Sequence, residues 1–171
     1  MNEVLNAIFN RHSVRSFTEE KLKREDLELL LKAAAAAPTA RNLQLFGFIA
    51  LTNSEKIEQL AALSGAVVGR DLKGFYKPAA LIIPYTKAEA TFGADDNACA
   101  MENIYLAAHS LGIGCVWINQ LRDGCKDEKV REVLRGIGVP DDCVIYGCAA
   151  VGIPAAPAAE IVRKAPIAIV D

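Results

Sequence analysis

Apolar positions along the chain follow two rhythms, a three-to-four residue spacing and short unbroken runs. Val4, Leu5, Ile8 and Phe9 lie on one face at helical spacing and predict a helix over Asn2 to Asn10. Arg11 to Glu19 breaks that rhythm with cations and hydroxyls. Leu27, Leu30, Leu31 and Ala34 mark a second helix from Arg24 to Ala37, stopped by Pro38, because a residue before proline avoids the helical region. Phe46 to Leu51 is aromatic and branched enough for a strand. Ser54 is placed to cap a short helix reaching Leu63, and Gly65 to Lys77 reads as loop or frayed helix.

Ala80 to Tyr85 is a buried strand with Pro78 and Pro84 at its margins. Asp95 or Asp96 can cap a long helix whose stripe is Ala98, Met101, Tyr105 and Ala108, ended by Gly112. Gly114 to Ile118 follows as a strand. Lys126 to Leu134 is a helix with Val130, Val133 and Leu134 inward, and Val144 to Val151 is the last strand. From Gly152 the tail is rich in alanine and proline and reads as a surface wrap. With no repeat or linker, residues 1–171 are expected to form one α+β domain.

Composition narrows the function classes. The chain has 171 residues with 52% hydrophobic and 23% charged, which excludes an extended disordered protein. A formal charge of −2 argues against nucleic acid as the main partner. No apolar run approaches the roughly 20 residues of a membrane helix, and Met1-Asn2-Glu3 opens no signal sequence, so no membrane partner and a cytoplasmic location are expected. The five cysteines show no C-x-x-C spacing, and the two histidines, His12 and His109, form no H-E-x-x-H pair. Reduced thiols and no dedicated metal site are expected. Phosphate-loop and nucleophile-elbow motifs are absent, and the two G-x-G runs lack the strand-to-helix setting of a dinucleotide fingerprint.

Two polar segments carry the candidate chemistry. In Arg11-His12-Ser13-Val14-Arg15, extended backbone puts Arg11, Ser13 and Arg15 on one face. Forked guanidinium donors and a hydroxyl suit a phosphorylated, planar ligand. The same residues also suit a solvated loop with surface ion pairs. Pro38-Thr39-Ala40-Arg41-Asn42-Leu43-Gln44 gathers donors and acceptors right after a helix, as a heterocycle would require. Plain turn chemistry would use the same residues.

Together these segments resemble the nitroreductase-like family of FMN flavoproteins. The resemblance continues in Asn97-Ala98 through Asn103, in Leu111-Gly112-Ile113-Gly114 leading to Trp117, in Ala149 to Pro154, and in Arg163-Lys164. The landmarks occur in family order over nearly the whole chain. They imply the nitroreductase-like α+β fold, a central mostly antiparallel sheet flanked by helices, in a homodimer that holds FMN at its interface. Hydride would pass from NADH or NADPH through flavin N5 to a small organic acceptor, a nitroaromatic or quinone, in ping-pong order.

By matching motifs, Arg11 and Ser13 hold the FMN phosphate and ribityl chain, joined by Arg163 and Lys164. Arg15 sits near the pyrimidine edge. Thr39 and Asn42, within the Pro38–Gln44 segment, reach the flavin from the other protomer. Trp117, Ile118 and Asn119 match the strand end beneath the ring, with the Asn119 N–H toward N5. His12 lies inside the motif and either contacts the flavin or packs locally. A cation about 4 Å from the reduced ring at an effective dielectric near 20 is worth roughly 4 kcal/mol, which raises a two-electron potential by at most roughly 90 mV. Arg15 would thus tune the cofactor, while the flavin itself carries the chemistry. The chain is short for the family, and Asn119 to Asp127 leaves little room for a lid. A flavin-binding module without turnover, a redox sensor or reservoir, therefore stays open as an alternative.

Overall fold

Alternation along three strands sorts the core into two layers. In the computed structural model, which describes residues 2–157 and 162–171, the strands are β1 (Phe46–Leu51), β2 (Ala80–Lys87), β3 (Gly114–Ile118), β4 (Cys143–Val144) and β5 (Cys148–Gly152). They pair antiparallel in the order β1-β2-β5-β3, with β4 beside the far end of β2. Ala80, Ile82, Cys115, Ala149 and Val151 face one layer; Leu81, Ile83, Val116, Ile118 and Ala150 face the other. The helices are α1 (Glu3–Asn10), α2 (Arg24–Ala35), α3 (Ser54–Val68), α4 (Gly93–Ser110), α5 (Leu121–Gly124) and α6 (Glu128–Gly136). Leu27 and Leu30 of α2 join Met101 and Ile104 of α4 on the first face, while α3, α5 and α6 cover the second. This is the expected α+β architecture, an antiparallel sheet flanked by helices. Among the described residues no helix is long and apolar enough to cross a membrane.

Several elements differ from the sequence reading. Helix α2 ends at Ala35, not Ala37, because Ala36 already caps it two residues before Pro38. Helix α3 runs to Val68, past Leu63. Asn53 rather than Ser54 caps its start by accepting from the Lys56 N–H at 2.9 Å, and Gly69 ends it at φ +70°. Strand β2 continues through Pro84 to Lys87. Pro84 lies at Ile83–Tyr85, where β2 has neither β4 nor β5 beside it, so a residue without an N–H is tolerated.

Helix α4 begins at Gly93, and Asp96 does not cap it; its carboxylate instead accepts from the Ala40 N–H at 2.9 Å. Ala98 is exposed, so the buried stripe runs through Asn97, Met101, Ile104, Tyr105 and Ala108. The helix expected over Lys126 to Leu134 is α6, which starts at Glu128 because Asp127 caps it through the N–H groups of Lys129 and Val130, and the short α5 precedes it over Leu121–Gly124, where no helix was expected. The strand expected over Val144 to Val151 splits into β4 and β5, and Gly147 in the break packs against the Trp117 indole. The apolar face of α1 is open: Val4 is 64% and Phe9 50% exposed, and Ala7 is the buried member.

The segment read as loop at Gly65–Lys77 holds the least expected backbone. Lys73, Gly74, Phe75, Tyr76 and Lys77 all have φ between 49° and 70°. Left-handed backbone costs an L-residue roughly 1–2 kcal/mol. Phe75 compensates by entering the core, where it is 1% exposed, and Lys73 donates its N–H to the Asp71 carboxylate at 2.8 Å. The tail leaves β5 and pairs Phe17 with Pro154, so Ile153 to Ala155 lies along Ser16 to Thr18. Beyond residue 161 it is exposed, as at Ile167 and Ile169.

A side chain at Gly147 would overlap the indole ring of Trp117. We therefore expect Gly147→Ala to lower stability by about 1–3 kcal/mol, read as a lower urea midpoint with unchanged slope. An unaltered midpoint would mean that the β4–β5 break does not depend on this contact.

Candidate functional site

The first polar segment crosses the end of the sheet where β3 begins. Arg11 caps α1 through its N–H to Ala7. Ser13 then bridges Cys115 in parallel, and the Val14 N–H donates to the Cys115 carbonyl at 2.9 Å. Close approach needs glycine at 114, because a Cβ there would come within 2.8 Å of the Val14 side chain. His12 and Val14 face a cavity of about 210 Å3 with Tyr105, His109 and Pro154. Thus the alternation expected from extended backbone holds on the His12 side.

Tyr105 ties the segment to β3. Its hydroxyl accepts from the Trp117 N–H at 2.6 Å. Burial pushes the Tyr105 phenol up, so it stays protonated. The Arg11 guanidinium lies 5.1 Å over the Tyr105 ring and 3.5 Å from the Glu102 carboxylate. His109 stands edge-on to His12 at 6.3 Å. Burial first, then His12 and Arg11, hold His109 below the usual histidine range. Arg15 is exposed and forms no ion pair among the described residues.

Arg163 reaches the same place from the tail. Its guanidinium donates to the Phe9 carbonyl at 2.8 Å and the Ile8 carbonyl at 3.4 Å. Those carbonyls lie in the last turn of α1, where cations are favoured, two to three residues before Arg11. Lys164 follows, exposed.

The second segment forms its own knot at the other end of α4. Gln44 donates its N–H to the Thr39 hydroxyl at 3.2 Å and its carboxamide to Asn42 at 3.0 Å. Arg41, Asn42 and Gln44 have φ of 55°, 55° and 51°. Pro38, Asn42 and Gln44 are exposed. Asp96 anchors this knot, while Glu102 and Tyr105 hold the first segment. Six and nine residues of helix separate those anchors by about 9–14 Å along the axis. Within one protomer the two segments therefore remain apart.

At the end of β3, Trp117 is half-buried and Asn119 exposed. Ile118 is 2% exposed and its side chain belongs to the core, so only its backbone can meet a ligand. Burial pushes the Cys115 and Cys148 thiols far up, which leaves them unreactive. Among the described residues no group of three or more metal-ligating side chains gathers.

Sequence reasoning placed Tyr105 in the core stripe and overlooked its hydroxyl. A buried tyrosine must satisfy that group, which was the available signal. Glu102 and Asp96 carried no signal of their own; their partners come from elements distant in the chain.

The family model for the nitroreductase family matches residues 8–153. A solved nitroreductase with bound FMN from Bacteroides fragilis is 36% identical, superposes with a TM-score of 0.92, and covers 100% of both chains. The FMN reductase (NADPH) of Bacillus subtilis is 30% identical over 91% of this chain and 67% of its own length. The NADPH-flavin oxidoreductase of Vibrio harveyi is 31% identical over 86% of this chain and 64% of its own. With its sheet order, its crossing segment and this match over most of its length, the chain belongs to the nitroreductase family.

Proposed function

We propose that this chain is an FMN-dependent oxidoreductase that passes hydride from NADH or NADPH to a small organic acceptor, a nitroaromatic or quinone. The observation that carries the reading is Arg163 bonded to the last-turn carbonyls of α1, the helix that Arg11 caps two residues before Ser13. A flavin phosphate brings close to two negative charges, and two guanidinium forks with a hydroxyl and Lys164 form a matching donor set. The FMN held by the Bacteroides fragilis relative supports the same choice of ligand.

In this reading Arg11, Ser13, Arg163 and Lys164 bind the phosphate end, and Glu102 gives up Arg11 when the phosphate arrives. Arg15, exposed and without an ion pair among the described residues, lies toward the pyrimidine edge. Trp117 and the backbone of Ile118 and Asn119 line the ring, with the Asn119 N–H toward N5. His12 turns to the opposite side and acts through packing against His109. When bound, FMN supplies a site at N5 that accepts and returns hydride. Donor and acceptor take turns at one open face, so NAD(P)+ leaves before the acceptor enters.

The site is completed by a second copy of the chain. Two observations support this. The α1 face with Val4, Leu5, Ile8 and Phe9 is apolar and open, and the Pro38–Gln44 knot is too far along α4 to serve its own Arg11. Thr39 and Asn42 would therefore serve the flavin of the opposite protomer. Residues 1–171 act as one FMN-binding domain, working in the cytoplasm, without nucleic acid or membrane as partner.

Anaerobic addition of NADH or NADPH to the FMN-loaded protein tests the activity. We expect the flavin absorbance to bleach within seconds and to return when a quinone or nitroaromatic is added. Flavin that stays oxidised with both donors would support a binding module instead. We also expect Arg15→Gln to lower the two-electron potential of bound flavin by up to about 90 mV, measured by dye equilibration. An unchanged potential would remove Arg15 from the ring.

A further inference from the structure

The start of α4 gives up an interaction that helix starts usually keep. A carboxylate near a helix N-terminus ordinarily accepts from that helix's own first N–H groups. Asp95 and Asp96 both lie in the first turn of α4, yet no side chain caps the helix. Asp95 is exposed. Asp96 is 7% exposed, and its Oδ1 accepts from the Ala40 N–H at 2.9 Å, from 56 residues away in the chain. A sequence that breaks a local rule in this way answers a demand placed elsewhere.

That demand lies in the Pro38–Gln44 knot. Arg41, Asn42 and Gln44 hold left-handed backbone, which is costly for most L-residues and persists only where the surroundings over-determine it. Its other bonds are internal. Asn42 donates its N–H to the Thr39 carbonyl and Leu43 to that of Ala40, while Gln44 reaches the Thr39 hydroxyl and the Asn42 carboxamide. These bonds fix the shape of the knot and leave its place open. Packing does not fix it on this side either, because a recess of about 240 Å3 lies between Ala40, Arg41 and Leu43 and the residues Ala90, Phe92 and Asp96. Among the described residues, the bond to Asp96 is the one hydrogen bond that joins residues 38–44 to the rest of the chain. It is charge-assisted and shielded from water, so it is strong and directional.

We propose that Asp96 is a positioning residue for the flavin of the opposite protomer. On the shared-site reading above, on which this rests, Thr39 and Asn42 meet that flavin, and Asp96 sets where they stand. The Arg11 segment of its own protomer is held further along α4 by Glu102 and Tyr105, out of its reach. One helix thus anchors parts of two different sites. Losing the Asp96 carboxylate leaves Arg11 and Arg163 in place and loosens only the side contributed across the interface. Lesions at Asp96 and at Arg11 in one chain therefore fall on different flavins.

The test uses that separation. Two full chains, one with Arg11→Gln and one with Asp96→Leu, are co-expressed with different tags, and the mixed pair is isolated through both tags. FMN binding is read by fluorescence titration. Each variant paired with itself is expected to bind FMN about tenfold more weakly than wild type. In the mixed pair both lesions fall on one flavin and none on the other. One FMN per pair is therefore expected to bind with wild-type affinity and to bleach with NAD(P)H at the wild-type rate. Asp96→Asn keeps an acceptor oxygen toward Ala40 and is expected to lose no more than about threefold. Ala40→Pro removes the donor of the same bond and suits the extended backbone of Thr39, at φ −127° and ψ 151°. It is expected to reproduce the leucine variant, alone and in the mixed pair, and carries the test if that variant does not fold. Two equally weakened sites in the mixed pair would overturn the proposal, because the lesions would then lie on separate flavins. Wild-type affinity in the self-paired Asp96→Leu protein would overturn it as well. Either result ends this inference alone, whereas a wild-type chain that binds no FMN, or holds it as a single chain, ends the functional reading too.

Discussion

The hydroxyl of Tyr105 is where the core and the site depend on one another. It accepts the Trp117 N–H at 2.6 Å, while its ring carries the Arg11 guanidinium. One side chain from the buried stripe of α4 thereby holds both the Arg11 segment and β3. A net hydrogen bond contributes about 1 kcal/mol, but a buried group left unpaired costs about 1–3 kcal/mol. The arrangement is therefore held mainly by the penalty for breaking it. Because α4 and the sheet form one packed layer, the positions of Arg11, Ser13 and the end of β3 are set together.

The same helix is what favours the proposal of a shared site. Asp96 holds the Pro38–Gln44 knot near the start of α4, and Glu102 and Tyr105 hold the Arg11 segment further along. Both knots are local and tightly bonded, so neither can move to the other. An apolar, open α1 lies beside Arg11, and the tail brings Arg163 onto its last carbonyls. A second protomer covering α1 would bury that face and bring a foreign knot to the cations. Activity then needs no protein nucleophile; it needs donors fixed in place and an open face.

Strands β1 and β3 were legible because their apolar runs have no other use, and their bounds agree with the residues that suggested them. Helices were legible in number wherever apolar spacing was regular, but their ends were not. The α2 terminus, the Asn53 cap and the separate start of α6 depend on single side-chain bonds that periodicity does not encode. The motif segment was legible as chemistry through Arg11, Ser13 and Arg15, yet its partners Glu102 and Tyr105 came from distant sequence. The left-handed turn at Lys73–Lys77 left almost no trace, since only Gly74 favours that backbone and tertiary burial of Phe75 imposes the rest. The apolar stripe of α1 was legible as a helix face but its exposure was not, because such a stripe looks alike whether it is buried or open.

Light scattering of the FMN-loaded protein, with flavin absorbance recorded on the same particle, tests the shared site most directly. The account predicts a particle of two chains carrying one FMN per chain, and joint loss of flavin and dimer when Val4 and Phe9 are replaced by charged residues. A single-chain particle that retains its flavin would contradict it.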